Sequence, residues 1–342
     1  MLLSRESLSS LNCTYEEQEV TCTSSSFKNI SEIFNTRESM LNVISHPIKT
    51  LKELISENGK LFHITSLKIT NSYITFIKSG IFSSLPDLTD LTLIKVNLYN
   101  RNLSRVFNGL QNLKSLNLSD NRLTHLYPET FYGLQSLKFL ILSFNNILHV
   151  PPESFENLVK LKELYLNNNN ISILDSTTFQ PLKSLAYLDL SANLLKEIKS
   201  DLFLNLKNLM KIKLNYNDIR YISTQAFQSN EDLFEINLNH NMHLKIPEFG
   251  SFILSSSLKN LRLRNCGLRA LTPGMFQHLT NLQLLDLSDN NLTILPAGLF
   301  TNLVKLNIVD LCRNSLYDIK SDISEELKKI PKLKLCNSSL ET

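Results

Sequence analysis

The chain has 342 residues, with 35 Lys and Arg against 32 Asp and Glu, a net charge of +3 and no tryptophan. A balance this close gives no sequence-wide pull toward nucleic acid or a membrane surface, and no stretch approaches the roughly 18 apolar residues of a membrane span. Such a length ordinarily means two or three domains, unless the chain repeats, because each unit of a solenoid touches only its neighbours and the number of units has no ceiling.

The opening MLLSRESLSSL holds only a two-residue apolar run, too short for the core of a secretory leader. Two readings stand at this point: a cytosolic repeat protein, or an excised ectodomain. Between residues 27 and 63, Leu41, Ile44, Ile48, Leu51, Leu54 and Ile55 fall at helical spacings. Thr36 or Ser39 would cap such a helix, Asn58-Gly59 would stop it, and Pro47 would break it in two. Residues 1–63 are therefore expected to form an N-terminal cap with an irregular extension or a degenerate repeat.

From residue 64 onward the pattern L-x-x-L-x-L-x-x-N-x-L recurs, weakly in units starting at Ile64 and Leu88 and then clearly from Leu113 with a period of 24 residues. The ninth position of each clear unit is Asn121, Asn145, Asn169, Asn193, Asn217, Asn241, Cys266, Asn290 and Asn314. A second ladder runs in phase at the nineteenth position: Phe131, Phe155, Phe179, Phe203, Phe227, Phe276 and Phe300. In SLNLSDN or YLDLSAN the apolar–polar alternation predicts a short strand with one buried face, so Leu116 and Leu118 point inward and Ser115, Asn117 and Ser119 outward. One unit cannot bury its leucines alone, and stacked units cover one another. Where the chain leaves the strand its peptide groups need partners inside the column, and an asparagine amide offers donors and acceptors together. Cys266 fits the same slot as a small buried thiol and reads as structural. A final unit, Ile330, Leu333, Leu335 and Leu340, runs out within a repeat and has no C-terminal cysteine cap, so residues 64–342 are expected to be repeats to the end. That ragged finish favours the excised ectodomain.

These motifs cover most of the chain and resemble the leucine-rich repeat family, in particular the 24-residue extracellular subtype of Toll-like receptor, Slit-type and chaoptin-like ectodomains. The resemblance implies an α/β repeat solenoid: a horseshoe of about 12 repeats with a continuous parallel concave β-sheet, an irregular convex side and an N-terminal disulfide cap. Cys13 and Cys22 look like the bonded pair of that cap, though more closely spaced than in the receptors. Cys312 and Cys336 share the seventh position one repeat apart, which places them on adjacent strands about 4.8 Å apart, within reach of a disulfide. Free surface thiols and a bonded pair both fit; an oxidising compartment, which the cap implies, favours the bond. Asn29, Asn102, Asn117, Asn170, Asn291 and Asn337 head N-x-S/T sequons, in a number chance alone would give.

No phosphate-binding glycine loop, H-E-x-x-H, C-x-x-C or G-x-S-x-G motif occurs. His125 and His149, one repeat apart, suit a ligand pair or pH sensor less well than two solvated side chains, since no third ligand shares the position; His240 and His243 are weighed the same way. No cofactor, metal or catalysis is expected. Binding is the better reading, because solenoids present an extended concave surface. The outward positions there carry Phe139, Ile141, Phe144, Tyr165, Tyr187, Tyr216 and Phe234, expected as one contiguous aromatic patch with Asp189, Lys211 and Lys213 at its edge. Phe144 and Tyr216 can alternatively serve local packing beside their own asparagines. Asn167 and Asn168 lie beside Tyr165, and Arg262, Arg264, Asp286, Asp310 and Arg313 form a mixed-sign zone further on. Rigid aromatics give contact area at little entropic cost, which points to a protein ligand or co-receptor and not nucleic acid. Membrane attachment would come only through a segment outside this chain, and homo- or heterodimers are compatible with the surface. The leading expectation is an extracellular, non-catalytic recognition domain of a receptor or secreted protein; the alternative is a secreted scaffold that assembles through its solenoid ends.

Overall fold

The computed structural model describes residues 13–16, 19–23, 39–44, 47–50, 63–99, 103–318 and 321–336. The chain divides into two compact units, Met1–Tyr165 and Leu166–Thr342. Each is a parallel-strand solenoid with little helix.

In the first unit, β1 (Cys13–Glu16) and β2 (Glu19–Cys22) form an antiparallel hairpin that places Cys13 opposite Cys22. Cys22 is buried and disulfide-bonded, while the Cys13 side chain lies outside the described residues. β3 (Met40–Ile44), β5 (Ser66–Thr70), β7 (Asp90–Ile94), β8 (Ser115–Asn117), β9 (Phe139–Ile141) and β10 (Glu163–Tyr165) then add in parallel. A small side sheet pairs β4 (Pro47–Thr50) with β6 (Tyr73–Phe76).

This corrects the helical reading at Leu41, Ile44 and Ile48. Leu41 and Val43 are buried and in register with Leu67 and Ile69 of β5, so residues 40–44 obey the two-residue period of a half-buried strand and complete a degenerate repeat. The helical spacing of Leu41, Ile44 and Ile48 is accidental: runs this short satisfy both periods, and pairing on both edges of β3 decides between them. Residues 51–62, including Leu51, Leu54, Ile55 and Asn58-Gly59, lie outside the described residues.

The second unit stacks β11 (Tyr187–Asp189), β13 (Lys211–Lys213), β15 (Glu235–Asn237), β16 (Asn260–Arg262), β17 (Leu284–Asp286), β18 (Ile308–Asp310) and β19 (Lys332–Lys334) in parallel, with β12 (Glu197–Ile198) and β14 (Tyr221–Ile222) paired at the side. A helix, α1 (Ser321–Leu327), precedes β19. It buries Ile323 and Leu327, and Glu326 accepts the amides of Gly298 (2.6 Å) and Phe300 (2.8 Å) from the preceding coil. The spacing of Ile323, Leu327 and Ile330 was the available sequence signal for this helix.

Register explains why one repeat predicts the next. Leu164 pairs with Leu140, and Val309 with Leu285, so every residue sits beside its counterpart one coil away. The apolar residues at the first, fourth and sixth positions are buried from Leu113 to Leu311, whereas Leu333 and Leu335 of the last coil are half-buried. The phenylalanines line the other side with rings stacked: Phe131 on Phe155 at 6.2 Å, and Phe203 on Phe227 at 5.4 Å, distances at which offset aromatic pairs attract.

Candidate functional site

The asparagine column fixes where every outward side chain emerges. Asn145 is buried; its Nδ2 donates to the carbonyls of Leu118 (3.0 Å), Leu142 (3.0 Å) and Ser143 (3.3 Å), and its Oδ1 accepts the amides of Asn121 (3.0 Å) and Leu123 (2.9 Å). Asn193, Asn217, Asn241, Asn290 and Asn314 repeat this bridge in the second unit, each donating to its own sixth-position carbonyl and to that of the coil before. Asn121 does so in the first unit, to Leu93 and Leu118. Asn169 is buried and donates to Leu166 at 3.0 Å. Cys266 supplies only the donor half, its Sγ lying 3.3 Å from the Leu238 carbonyl, and burial pushes its thiol pKa up to about 12. The next residue, Gly267, has φ +71°, and a Cβ there would meet the Met242 carbonyl oxygen at 2.1 Å.

Two further devices shape the outward face, and both escaped the sequence reading. Asn117, Asp189, Asn237, Asp286 and Asp310, all at the fifth position, accept the amide two residues on, at 2.9–3.1 Å. The residue at the eighth position is left-handed in each repeat from Asn71 to Arg313, including Phe144 (φ 55°) and Tyr216 (φ 57°). That conformation costs about 1–2 kcal/mol for a residue with a side chain. It is held because the amide there reaches the next coil, as from Tyr216 to the Asn239 carbonyl at 2.9 Å. The recurring Asp and Asn in LNLSDN, LDLSAN and LDLSDN were the visible signal.

On β9 and β10 of the first unit, Phe139 is 36% exposed and Ile141 and Tyr165 are half-buried, and Phe144, three residues beyond β9, is 60% exposed. Ile141 is in register with Tyr165, and Phe139 with Glu163, so these side chains share one face. The Tyr165 hydroxyl donates to Glu163 at 2.6 Å, which holds the ring.

The face of the second unit is more polar than an aromatic patch. Tyr187 donates to Asp189 at 3.1 Å, and Lys213 lies both 3.4 Å from Asp189 and 5.5 Å from the Tyr187 ring centre. The ring is therefore covered by an ammonium group. Glu235, 9% exposed, sits between Lys211 at 3.0 Å and Arg262 at 3.8 Å. Lys211 and Lys213 thus face carboxylates and do not form a free edge. Phe234 is half-buried, and Tyr216 is displaced to the rim, where it stacks on His240 with ring centres 4.2 Å apart. In the mixed-sign zone, hydrogen bonds from Arg313 and the nearby Arg264 hold the Asp289 carboxyl below its ordinary range. Leu284 and Ile308, an in-register apolar pair on the same face, were not anticipated.

Cys312 and Cys336 are joined by a disulfide with Cα atoms 4.5 Å apart. Of the sequons, Asn291 is exposed, Asn170 is half-buried, and Asn117 is half-buried with its side chain bonded to the Ser119 amide. Asn29, Asn102 and Asn337 lie outside the described residues. The backbones of His125 and His149 pair in an isolated parallel bridge, and His243 bonds Asp218 at 2.7 Å. Among the described residues no group of three or more His, Cys, Asp or Glu side chains is placed to hold a metal ion. No helix among them is long and apolar enough to cross a membrane.

A family model described as Leucine rich repeat matches residues 104–147, 135–195, 187–242 and 256–316. No curated protein matches the chain by sequence. Among solved structures, TLR13 in complex with ssRNA13 is 25% identical, with a TM-score of 0.78 over 89% of this chain and 47% of that one. Toll in the Toll–Spatzle complex of Drosophila is 20% identical, with a TM-score of 0.68 over 96% and 52%. An internalin of Listeria monocytogenes is 19% identical, with a TM-score of 0.63 over 94% and 81%. The chain spans about half the length of the TLR13 and Toll chains. With its repeats matched over more than half of its length, the chain belongs to the leucine-rich repeat family.

Proposed function

We propose that this chain is the non-catalytic, extracellular recognition part of a receptor or secreted protein, and that it takes a protein ligand on the outward face of its sheet. The observation that carries this reading is the set Phe139, Ile141 and Tyr165 on adjacent strands of the first unit, with Phe144 just beyond β9: apolar and aromatic side chains left wholly or partly in water on a rigid parallel sheet, one of them anchored by a hydrogen bond. Such rings gain contact area on binding and lose little rotamer freedom. The disulfide at Cys312 and Cys336 and the bonded Cys22 support an oxidising, extracellular setting. Protein is favoured over nucleic acid because Lys211, Lys213 and Arg262 are each within 3.8 Å of a carboxylate, and a polyanion would have to displace those partners.

The test pans the immobilised chain against a library of secreted proteins and ectodomains, then measures affinity for the partner found. Phe139→Ala with Tyr165→Ala should weaken it at least tenfold, about 1.4 kcal/mol, while Val304→Ala, on an exposed side chain elsewhere, leaves it unchanged. Equal affinity in the double variant defeats the reading, and so does single-stranded RNA binding more tightly than any protein at 150 mM salt.

A second reading, assembly through the solenoid end, is favoured by an open cavity of about 350 Å³ in the last coils, lined by Phe300, Leu303, Leu306 and Ile330. Concentration-dependent association abolished by Leu303→Asp would support it.

A further inference from the structure

The eighth-position residues of the second unit form a column along the rim of the sheet. Ala192, Tyr216, His240, Asn265, Asp289 and Arg313 are all left-handed, with φ between 51° and 61°. Each amide donates to the seventh-position carbonyl of the next coil, at 2.8–3.0 Å. The backbone therefore presents six side chains in parallel, one per coil, about 4.8 Å apart. From Tyr216 onward these side chains engage in pairs. Tyr216 lies flat on His240, with ring planes 6° apart, His240 Nδ1 is 3.0 Å from Asn265 Nδ2, and Arg313 grips Asp289 with both Nε and Nη2.

Ala192 interrupts the series. It stands where a side chain would cover the other face of Tyr216, and a methyl group does not reach. One face of the Tyr216 ring is stacked, yet the residue is 56% exposed, so the open face looks over Ala192. On the far side of the gap stands Asn168, two coil steps or about 10 Å from Tyr216. That leaves room for one planar group.

We propose that this gap is a subsite for an aromatic side chain of a protein ligand, which would continue the His240–Tyr216 stack by one ring. The coil spacing already places two rings at 4.2 Å here, so a third inserted at the next step meets Tyr216 at an attractive distance without rearrangement. An aromatic group is favoured over a guanidinium because the nearby carboxylates are engaged: Asp189 with Lys213 and Tyr187, and Asp218 with Arg220 and His243. The inference rests on the protein-ligand reading above and names what Tyr216 contributes to it.

The chain has no tryptophan, so an indole probe can be read without background. With the alanine methyls labelled by carbon-13, N-acetyl-tryptophanamide should shift the Ala192 methyl saturably, with a dissociation constant in the millimolar range. Tyr216→Phe should preserve the response and Tyr216→Ala should weaken it at least tenfold. Ala192→Trp fills the gap from within: its single indole should emit at shorter wavelength than the same substitution in a Tyr216→Ala background. No saturable shift, an equal shift with N-acetyl-argininamide, or a response surviving Tyr216→Ala overturns the proposal. A silent probe alongside a ligand that still depends on Phe139 and Tyr165 removes this subsite and leaves the sheet-face reading standing; loss of that dependence with an intact probe response does the reverse.

Discussion

Replacing Asn145 with alanine tests the bonding that aligns the coils. The substitution removes the acceptor of two buried amides, Asn121 (3.0 Å) and Leu123 (2.9 Å), and the donor to three carbonyls. A buried N–H left without a partner costs about 1–3 kcal/mol, so two cost about 2–6 kcal/mol, large against the 5–15 kcal/mol that typically separates a folded domain from its unfolded chain. Asn145→Cys should fall between alanine and asparagine, because a thiol restores a donor, as Cys266 does toward Leu238, but no comparable acceptor. Asn145→Asp adds a pH signature. Burial raises the carboxyl's folded pKa above its unfolded value near 3.9; the protonated acid can both donate and accept. Its stability is then complete below about pH 4 and lost as pH rises through the folded pKa. Urea unfolding followed by circular dichroism gives the energies, and hydrogen exchange locates them. The amides of Asn121 and Leu123 should exchange fastest in Asn145→Ala. A loss below about 1 kcal/mol, or accelerated exchange confined to other coils, refutes the bridging role.

Gly267→Ala should cost more than about 2 kcal/mol, since a left-handed φ is compounded by a backbone clash with Met242, whereas Gly250→Ala, at φ +79° with open space around it, should cost about 1 kcal/mol; thermal unfolding of the pair separates strain from clash. Reducing the Cys312–Cys336 bond frees a loop of 24 residues, worth about 3 kcal/mol in the chain-entropy account, and hydrogen exchange should rise at Lys332–Lys334 while β15 stays protected. The Cys266 thiol, with a folded pKa of about 12 against about 8.5 unfolded, holds its proton in the folded chain; it should resist iodoacetamide at pH 8 until urea unfolds the protein. Its contribution to stability is complete below about pH 8.5 and lost as pH rises toward 12.

Between Leu113 and Asn314 the fold was legible because each residue is tested many times over by its counterparts. Phe139 and Tyr165 could be assigned to the outward face from Leu140 and Leu164 alone, since the two-residue period of a strand admits no other choice once the leucines are inside. Residues 40–50 offered no such redundancy. Their apolar pattern satisfied a helix and a strand equally, and the strand prevails through pairing with β2 and β5, a long-range fact that local periodicity does not contain. Charge pairing was hidden for a related reason. Lys213 and Asp189 are 24 residues apart in sequence, and only the register makes them neighbours, so a face that reads as aromatic with basic edges proves to be knitted by ion pairs.

The eighth position shows how a strained backbone and a binding surface come to share one residue. A left-handed φ is cheapest for glycine and next for asparagine; Asn71, Asp120, Asn168, Asn265 and Asp289 follow that preference, yet the same column also carries Phe144, Ala192, Tyr216, His240 and Arg313. Local preference therefore does not alone choose the residue. The inter-coil hydrogen bond from its amide compensates the strain for any side chain, as at Ala192 and Tyr216 alike, 2.8 Å and 2.9 Å, and this leaves the side chain itself unconstrained by folding. Such freedom is what a recognition surface needs: the asparagine column one residue further on holds the coils in register, and the rim beside it can carry a ring, a methyl or a guanidinium without disturbing them. On this argument, exchanging rim residues among coils, such as Ala192→His with His240→Ala, should alter what the sheet edge binds while moving the unfolding midpoint by less than the single change Asn145→Ala.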